Sequence, residues 1–334
     1  MPSRRWIASW AADDVRVKPA HPLAPYLFIA PALAVFAFAI VVPMLFTLAY
    51  SFTEWNGFGA MTPVGLDNYV AALTDPIFRD SFLHVLGYIA ATLVLEVGLG
   101  LALAGIVSAR AGTVWFRVAF FAPVMLPMVV VAILWSFVYN GDFGLLNATL
   151  GAAGLAPLQR IWLGDTSTAL LAVSVVSGWV YAGFYMTIFY AAIRQIPHEV
   201  IEAARIDGAG EWALFRRVKV PIIRNALAIA VLLCVTGGFQ GFDLFFVLTN
   251  GGPYGATEIP TTYLVKVVFR NGDVGYGSAM AVILTAIVLG IGFVYARLTR
   301  RAPAQRRGGE RVTAETAAPF PAPAGMAVGP GGTA

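Results

Sequence analysis

The amino-acid sequence predicts an all-α polytopic membrane protein, and three observations support this prediction. The 334 residues are 59% hydrophobic and only 12% charged, with a mean hydropathy of +0.76, unlike a soluble domain. Six apolar stretches are long enough to cross a bilayer as helices, which takes about 20 residues. The charged residues gather near the ends of these stretches and form no separate basic module, so the net charge of +4 does not indicate nucleic-acid binding.

The six predicted spans divide the chain into three regions. They cover approximately residues 25–52, 82–107, 118–139, 169–193, 222–248 and 278–296. We expect residues 1–22 to form a cytoplasmic lead and residues 23–298 to form the transmembrane domain. Residues 299–334 are rich in Ala, Pro and Gly without apolar periodicity, which predicts a disordered cytoplasmic tail.

Two features inside the spans predict how the helices pack and bend. The second span carries small residues at spacings that allow close helix packing, namely Gly98, Gly100, Ala102 and Ala104. Pro123 and Pro127 are expected to kink the third span, because proline removes a backbone donor and clashes with the preceding turn.

Lysine and arginine are distributed unevenly over the segments between the spans. Of the 22 basic residues, all but Arg79, Arg160, Lys266 and Arg270 fall in the segments of one side, which include both termini and residues 194–221. Basic segments tend to remain in the cytoplasm. We therefore expect both termini and residues 194–221 to lie on the cytoplasmic side of a bacterial inner membrane.

The stretch 197–221 is a polar island between two apolar spans. Pro197 suits the first position of a helix, and Asp207-Gly208 suits its end, because glycine readily adopts the left-handed conformation. A second short helix is expected over residues 211–220, ended or kinked by Pro221. The stretch predicts a helix-turn-helix on the membrane surface, although a basic amphipathic segment is also typical of an interfacial anchor.

This stretch contains a recognisable order of residues. The order is Glu202-Ala203-Ala204, then Asp207-Gly208-Ala209, Phe215 and Val220-Pro221. It resembles the EAA loop of the permease subunits of binding-protein-dependent ABC importers, with Val220 where leucine is commoner. In that family the loop is a coupling helix that docks into a cleft on the cytoplasmic ATPase subunit. The resemblance implies this role for Glu202, Ala203, Ala204, Asp207, Gly208 and Ala209, since small side chains permit close approach and Glu202 offers a carboxylate to an arginine.

Further motifs are similar to the sugar-uptake branch of these permeases over about residues 23–298. They are Ser51-Phe52-Thr53 with Trp55-Asn56, Gly65 to Tyr69, Pro123 to Pro127 with Trp135, Gly144 to Asn147, Ile196-Pro197, Thr249 to Pro253 and Phe269 to Tyr276. The first motif looks like the first permease of the maltose and glycerol-phosphate systems. The resemblance implies the ABC-importer permease (MetI-like) fold and import of a sugar, oligosaccharide or polyol-type solute. It also implies a second homologous permease, two ATPase subunits and an extracytoplasmic solute-binding protein as partners.

The sequence offers no catalytic or metal-binding constellation of its own. It lacks the phosphate loop G-x-x-x-x-G-K-[ST], so ATP and magnesium are expected in the partner ATPase and no cofactor in this chain. Its histidines, His21, His84 and His198, fall in different segments, and the single cysteine, Cys234, excludes an intrachain disulfide. We expect a non-enzymatic subunit that works by alternating access, in which closure of the ATPases moves the docked loop.

Few ionisable groups fall inside the predicted spans. A charge there costs at least ~2.5 kcal/mol on insertion scales, so each is a functional candidate. His84 is expected to face water near the outer end of its span. Glu96 is expected to relay protons, to hydrogen-bond a neighbouring helix, or to be protonated in place. The alternative function, an ion-coupled secondary transporter, would use Glu96 and Asp243.

A pathway for sugars should present amides, carboxylates and aromatic faces. The candidates are Trp179, Tyr181, Tyr185, Cys234, Gln240 and Asp243. Gln240 and Asp243 are three residues apart and are expected to share one helical face. In the maltose member of the family, residues of the same two helices touch the sugar, but Gly238 and Gly241 stand where that member has amides, so maltose itself is not implied. Tyrosine and tryptophan in spans are also ordinary interface anchors.

Overall fold

The computed structural model describes residues 24–110 and 112–300, so the predicted N-terminal lead and almost all of the predicted tail lie outside the described residues. The part up to Phe293 is one compact unit, and residues from Val294 onward belong to a second. The α-helices are α1 (Ala24–Phe36), α2 (Val42–Tyr50), α3 (Asp67–Thr74), α4 (Pro76–Thr92), α5 (Leu99–Ser108), α6 (Val114–Phe121), α7 (Met128–Val138), α8 (Leu145–Ala152), α9 (Ala169–Arg194), α10 (His198–Ile206), α11 (Glu211–Leu214), α12 (Val220–Ile222), α13 (Arg224–Gly238), α14 (Phe242–Leu248), α15 (Pro260–Phe269) and α16 (Val274–Arg300).

Shorter segments join these helices. Three are π-helical, Ala37–Val41, Leu93–Gly98 and Phe215–Lys219, and two are 3-10 turns, Ala122–Met125 and Ala156–Leu158. A two-residue antiparallel pair, β1 (Thr53–Glu54) and β2 (Thr62–Pro63), closes the loop after α2.

Four helical stretches of the described chain are long and apolar enough to cross a membrane. They are Tyr26–Tyr50, Pro76–Ser108, Ala169–Arg194 and Val274–Leu298. Two bent pairs also meet the criterion: Val114–Met125 with Met128–Val138 at 100°, and Glu211–Ile222 with Arg224–Gly238 at 74°. The predicted total of six spans is therefore reached when each bent pair is counted as one span.

The third span differs from the single kinked helix predicted over residues 118–139. The chain turns by 100° between α6, with its 3-10 turn, and α7. Leu126 precedes Pro127 and adopts an extended conformation, with φ −81° and ψ 140°. The ring of a proline disfavours the helical conformation of the residue before it. Pro127 therefore breaks the helix, which is a larger effect than the predicted kink.

The fifth span is likewise not the continuous helix predicted over residues 222–248. α13 ends at Gly238. A turn separates it from α14, and in this turn the Gln240 N–H donates to the Gly237 carbonyl at 2.9 Å. Glycine has a low helix propensity, and two glycines, Gly238 and Gly241, flank this turn, which favours a break in the helix there. Gln240 lies in this turn and Asp243 lies in α14, so the prediction that they share one helical face is wrong.

The core is built around α9, which is buried along most of its length. One apolar cluster joins it to α4, α7 and α14 and includes Val85, Val131, Val176 and Phe245. Another joins it to α5 and α13 and includes Ala104, Met186, Phe189 and Ala230. A helix that is apolar on all sides is typical of such a central position.

The small residues of the second span lie on two different faces of the helix. Gly100 lies against α9 so closely that a Cβ atom there would lie 2.7 Å from the Tyr185 Cβ, and Ala104 is fully buried. Gly98 and Ala102 instead line a groove. The prediction of close packing is thus confirmed for Gly100 and Ala104.

Asp75 ties the start of α4 to two distant helices. One carboxylate oxygen accepts the backbone N–H groups of Ile77 (2.8 Å) and Phe78 (3.3 Å). The other accepts the hydroxyl groups of Tyr263 (2.6 Å) and Tyr276 (2.8 Å). Burial opposes ionisation, but the hydrogen bonds outweigh it and lower the pKa of Asp75 below its ordinary value of 3.8.

Asp75→Asn is expected to destabilise the protein at neutral pH, and this loss of stability is expected to be smaller in acid. Because the folded state lowers the pKa, the ionised carboxylate stabilises the fold above the ordinary pKa of 3.8, and this contribution is lost as pH falls through the lowered value. We expect a loss of about 2 kcal/mol for the charge-assisted hydrogen bonds. Thermal unfolding in detergent should show a difference from wild type that shrinks below about pH 4. Asp80→Asn, at an exposed pair with Arg79, is the control. An equal Asp75→Asn difference at all pH values would contradict the prediction.

Candidate functional site

A cavity lined by aromatic and apolar residues together with a few polar groups lies where the second, fourth and fifth spans meet. It has a volume of about 220 Å³, and a smaller one of about 100 Å³ shares Tyr88 and Tyr181 with it. Tyr181, Tyr185 and Cys234 line the larger cavity. Gln240 and Asp243 line the smaller one. The structure therefore brings five of the six predicted pathway residues to one pair of adjoining cavities.

Trp179, the sixth predicted residue, lies apart from both cavities. Its side chain is 43% exposed, and its ring packs edge to face on Trp135 at 5.7 Å between centroids. Trp179 and Tyr181 are two residues apart on α9, so their side chains leave the helix on nearly opposite sides.

A chain of hydroxyl groups holds the buried carboxylate of Glu96. The Tyr88 hydroxyl donates to the Ser177 Oγ at 2.8 Å, and the Ser177 hydroxyl donates to a carboxylate oxygen of Glu96 at 2.6 Å. Glu96 is only 5% exposed. It thus makes a hydrogen bond to a neighbouring helix, which was one of its expected roles.

Tyr88, Thr92 and Ser177 were not among the residues predicted from sequence. Tyr88, Thr92 and Glu96 recur every four residues, which places them on one face of the helix and on the cavity. This spacing is the signal that could have identified two of them. Glu96 itself lies in the π-helical segment Leu93–Gly98, and such segments often occur at functional sites.

Glycines form part of the cavity wall. Gly237 and Gly238 line the larger cavity, and Gly241 lines the smaller one. Gly238 also allows close contact, since a Cβ atom there would overlap the Ile89 side chain. The Cys234 thiol donates to the Thr92 hydroxyl at 3.6 Å. The shape of the wall therefore depends on these glycines, which have no side chain, as well as on the polar groups.

An ion pair fixes the loop before α15. Glu258 is 6% exposed, accepts the Thr262 hydroxyl at 2.6 Å and pairs with the Lys266 ammonium group. Lys266 also donates to the backbone carbonyl of Asn250 at 2.8 Å. The His84 Nδ1 atom lies 2.9 Å from the Glu258 carbonyl oxygen. His84 is therefore partly exposed and also hydrogen-bonded to this loop, a contact that the sequence analysis did not predict.

The segment resembling the EAA loop forms the predicted helix-turn-helix. α10 ends at Ile206, Asp207 is its C-cap residue, and Gly208 has the left-handed φ of +81°. The Gly208 N–H bonds the Arg205 carbonyl, and the Ala209 N–H bonds the Ala204 carbonyl, both at 3.0 Å. These two bonds make a Schellman motif, as the Asp-Gly sequence predicts.

One face of this segment is exposed, and we call it the coupling surface. It comprises Glu202, Ala203, Ile206, Asp207 and Gly208. Ala204 and Ala209 are half-buried beside it. Ile206 is 86% exposed and was missed by the sequence analysis. The Glu202 carboxylate lies 3.0 Å from the His198 Nδ1 atom. The surface thus presents an apolar side chain and a carboxylate, with small residues between them.

The coupling surface is joined to the cavity through α5. Glu211 pairs with Arg205 at 2.8 Å and lies 4.0 Å from the buried Lys219 ammonium group, which links α10 to the next helix. The Phe215 ring then packs on Gly105 of α5, 2.7 Å from where a Cβ atom would lie. Gly100 of the same helix contacts Tyr185 at the cavity. These contacts form a continuous path from the loop to the cavity wall.

Known proteins that are similar to this chain are components of membrane transport systems. Residues 96–303 match the family described as "Binding-protein-dependent transport system inner membrane component". The chain is 38% identical to the "Probable ABC transporter permease protein YurN" of Bacillus subtilis, over 81% of this chain and 94% of that protein. It is 31% identical to the trehalose/maltose transport system permease protein MalF of Thermococcus litoralis, over 82% of this chain and 93% of that protein.

Among solved structures, the chain resembles one from a bacterial ABC transporter involved in the import of alginate. The TM-score is 0.74 at 19% identity, over 84% of this chain and 96% of that chain. This likeness confirms the predicted ABC-importer permease fold. The matched residues 96–303 include the coupling surface and most of the residues that line the larger cavity. The chain belongs to the family of inner membrane components of binding-protein-dependent transport systems.

Proposed function

We propose that the chain forms half of the translocation pathway of an ATP-driven importer for a sugar or sugar-like solute. The observation that supports this most directly is the set of contacts that runs from the exposed coupling surface, through α5, to a cavity lined by tyrosines and a few polar groups. The phenol hydroxyls, amide and carboxylate groups of the two cavities are suited to reversible hydrogen bonding of a polar solute.

The cavity chemistry supports a carbohydrate-like solute. Sugars present many hydroxyl groups and apolar ring faces, which suit phenol hydroxyls, amides, carboxylates and aromatic rings. Tyr88, Tyr181 and Tyr185 supply the rings and hydroxyls, while Gln240 and Asp243 supply planar hydrogen-bonding groups. The relative from Thermococcus litoralis, named for trehalose and maltose, supports the same class of solute.

We infer that the coupling surface docks into an ATPase subunit. ATP and magnesium would be bound there, and closure of two ATPase subunits would move α10 and, through Phe215, α5. A second homologous permease would complete the pathway, and an extracytoplasmic solute-binding protein would deliver the solute. In this arrangement both termini and residues 194–221 face the cytoplasm of a bacterial cell.

Affinity purification of the full chain from its native membrane in mild detergent tests the proposed assembly. We expect an ATPase subunit and a second permease to copurify, and mass spectrometry would identify them. Recovery of the chain alone, still moving solute in vesicles without ATP, would contradict the proposal and favour the ion-coupled secondary transporter.

Gln240→Ala and Tyr185→Phe are expected to weaken solute transport. Each removes a group that can hydrogen-bond the solute, and one unmade hydrogen bond in a binding site corresponds to about a tenfold rise in KM. Uptake by proteoliposomes that contain the assembled importer measures this effect. Trp179→Phe is the control, because Trp179 lies outside both cavities. Unchanged KM in both cavity variants would mean that these residues serve packing and not the pathway.

Glu96→Gln is expected to leave ATP-driven uptake nearly unchanged, by less than about threefold. The amide oxygen can still accept the Ser177 hydroxyl, so the hydrogen bond between the helices is retained. An ion-coupled transporter that used Glu96 as its proton carrier would instead lose transport in this variant. Measurement of uptake with ATP, and with an imposed proton gradient alone, separates the two functions.

A further inference from the structure

An open groove on the outside of α6 is not explained by the transport pathway. It has a volume of about 410 Å³ and is lined almost entirely by apolar side chains. Four of them, Val114, Val118, Phe121 and Met125, recur at three- or four-residue intervals along one face of α6 and its 3-10 turn. Thr187 of α9 lies on the other side of the groove.

Arg117 is the one cationic residue that lines the groove. Its guanidinium carbon lies 4.3 Å from the centroid of the Tyr190 ring, a cation–π contact that fixes its position. Within residues 24–110 and 112–300 the guanidinium donates no hydrogen bond and forms no ion pair, and its Nε atom is buried without a partner. Guanidinium groups present a planar set of donors that matches phosphate oxygens. Arg117 is therefore a positioned donor without an acceptor.

The groove begins at an end of the membrane-spanning helices. Tyr190 lies in the last turns of α9, close before α10, and the Thr113 hydroxyl donates to the Val107 carbonyl at the end of α5 (3.5 Å). Trp115 beside it is 82% exposed, as aromatic residues at the headgroup level of a bilayer commonly are. Arg117 is thus placed at the depth of the lipid phosphates.

The length of the groove fits an acyl chain. Eleven helical steps separate Val114 from Met125, which corresponds to about 17 Å. One leaflet of a bilayer has a hydrocarbon thickness of about 15 Å. An acyl chain lying along this face would therefore extend from the headgroup region to the middle of the membrane.

We propose that this groove binds an anionic phospholipid. The phosphate accepts hydrogen bonds from Arg117, and one acyl chain lies over Val114, Val118 and Met125. Charge complementarity favours this occupant over an apolar helix of another protein, because a helix would leave the Arg117 donors unpaired in an apolar contact. Basic pockets between membrane helices near the cytoplasmic surface commonly bind such headgroups.

Native mass spectrometry of the full chain, with phosphatidylglycerol or phosphatidylcholine added, tests the proposal. We expect preferential retention of phosphatidylglycerol by wild type and about a tenfold weaker retention by Arg117→Gln. Arg110→Gln removes an exposed charge of the same region outside the groove and should retain the lipid as wild type does. Arg117→Lys keeps the charge without the planar fork and should be intermediate. Val118→Trp fills the groove and should weaken retention of both lipids.

Thermal unfolding in detergent establishes that each variant is folded before its lipid binding is compared. If Arg117→Gln does not fold, Arg117→Lys and Val118→Trp decide the question. Retention of phosphatidylglycerol that is equal in wild type and the folded groove variants would overturn the proposal. Equal retention of the two lipids by wild type would also overturn it. A cross-link from position 118 to a second permease in the assembled importer would also overturn the proposal, because it would show that a protein occupies the groove.

Discussion

Gly208→Val is expected to lower ATP-driven uptake at least about tenfold while the membrane domain stays folded. Gly208 has a φ of +81°, and a Cβ atom there would meet no other atom within 4 Å. The effect therefore comes from the backbone alone, since the left-handed conformation costs an L-residue about 1–2 kcal/mol and a β-branched residue more. The turn that ends α10 would open, and Asp207 and Ala209 would move from the coupling surface and its border.

Gly210→Val is the matched control for this experiment. A Cβ atom at Gly210 likewise meets nothing within 4 Å, but Gly210 is extended, with φ −68° and ψ 165°. A β-branched residue adopts that conformation readily, so uptake should remain close to that of wild type. Copurification of the ATPase subunit gives a second measurement. Normal uptake and normal copurification in Gly208→Val would argue against the coupling role of this turn.

Gly100→Leu is expected to lower the melting temperature in detergent by more than about 5 °C. A Cβ atom at Gly100 would lie 2.7 Å from the Tyr185 Cβ and 2.9 Å from both the Ala182 carbonyl oxygen and the Met186 nitrogen. Two of these atoms belong to the backbone of α9, so no side-chain rotation relieves the overlap. α5 and α9 must move apart, and overpacking of this kind costs about 1–3 kcal/mol or more.

Gly100→Ala and Gly237→Ala form a pair that separates helix packing from helix propensity. Both glycines lie in helices, and alanine is favoured over glycine there by about 1 kcal/mol. A Cβ atom at Gly237 meets nothing within 4 Å, so this variant should be as stable as wild type or more stable. Gly100→Ala should be less stable. Equal melting temperatures for the two variants would contradict the close contact of α5 with α9.

The sequence by itself determined the local features of this protein. The apolar stretches located the membrane helices, because a minimum length of apolar chain is needed to cross the hydrocarbon. Asp207 and Gly208 predicted the end of α10, since the left-handed turn depends on the residue at that position and little on its surroundings. The resemblance in the stretch 197–221 identified the family for the same reason: its pattern is contiguous in the chain.

The tertiary structure alone decided which side chains meet. Tyr88 and Ser177 are far apart in sequence, yet the Tyr88 hydroxyl donates to Ser177, which in turn donates to Glu96. The Trp179 side chain, in contrast, points away from the cavity. Membrane helices face lipid on one side and protein on the other, and both environments are apolar. Hydrophobic periodicity therefore carries little information about which face of α9 is buried. The break between Gln240 and Asp243 and the contact of Gly100 with α9 likewise depend on neighbouring helices, and only the packed structure reveals them.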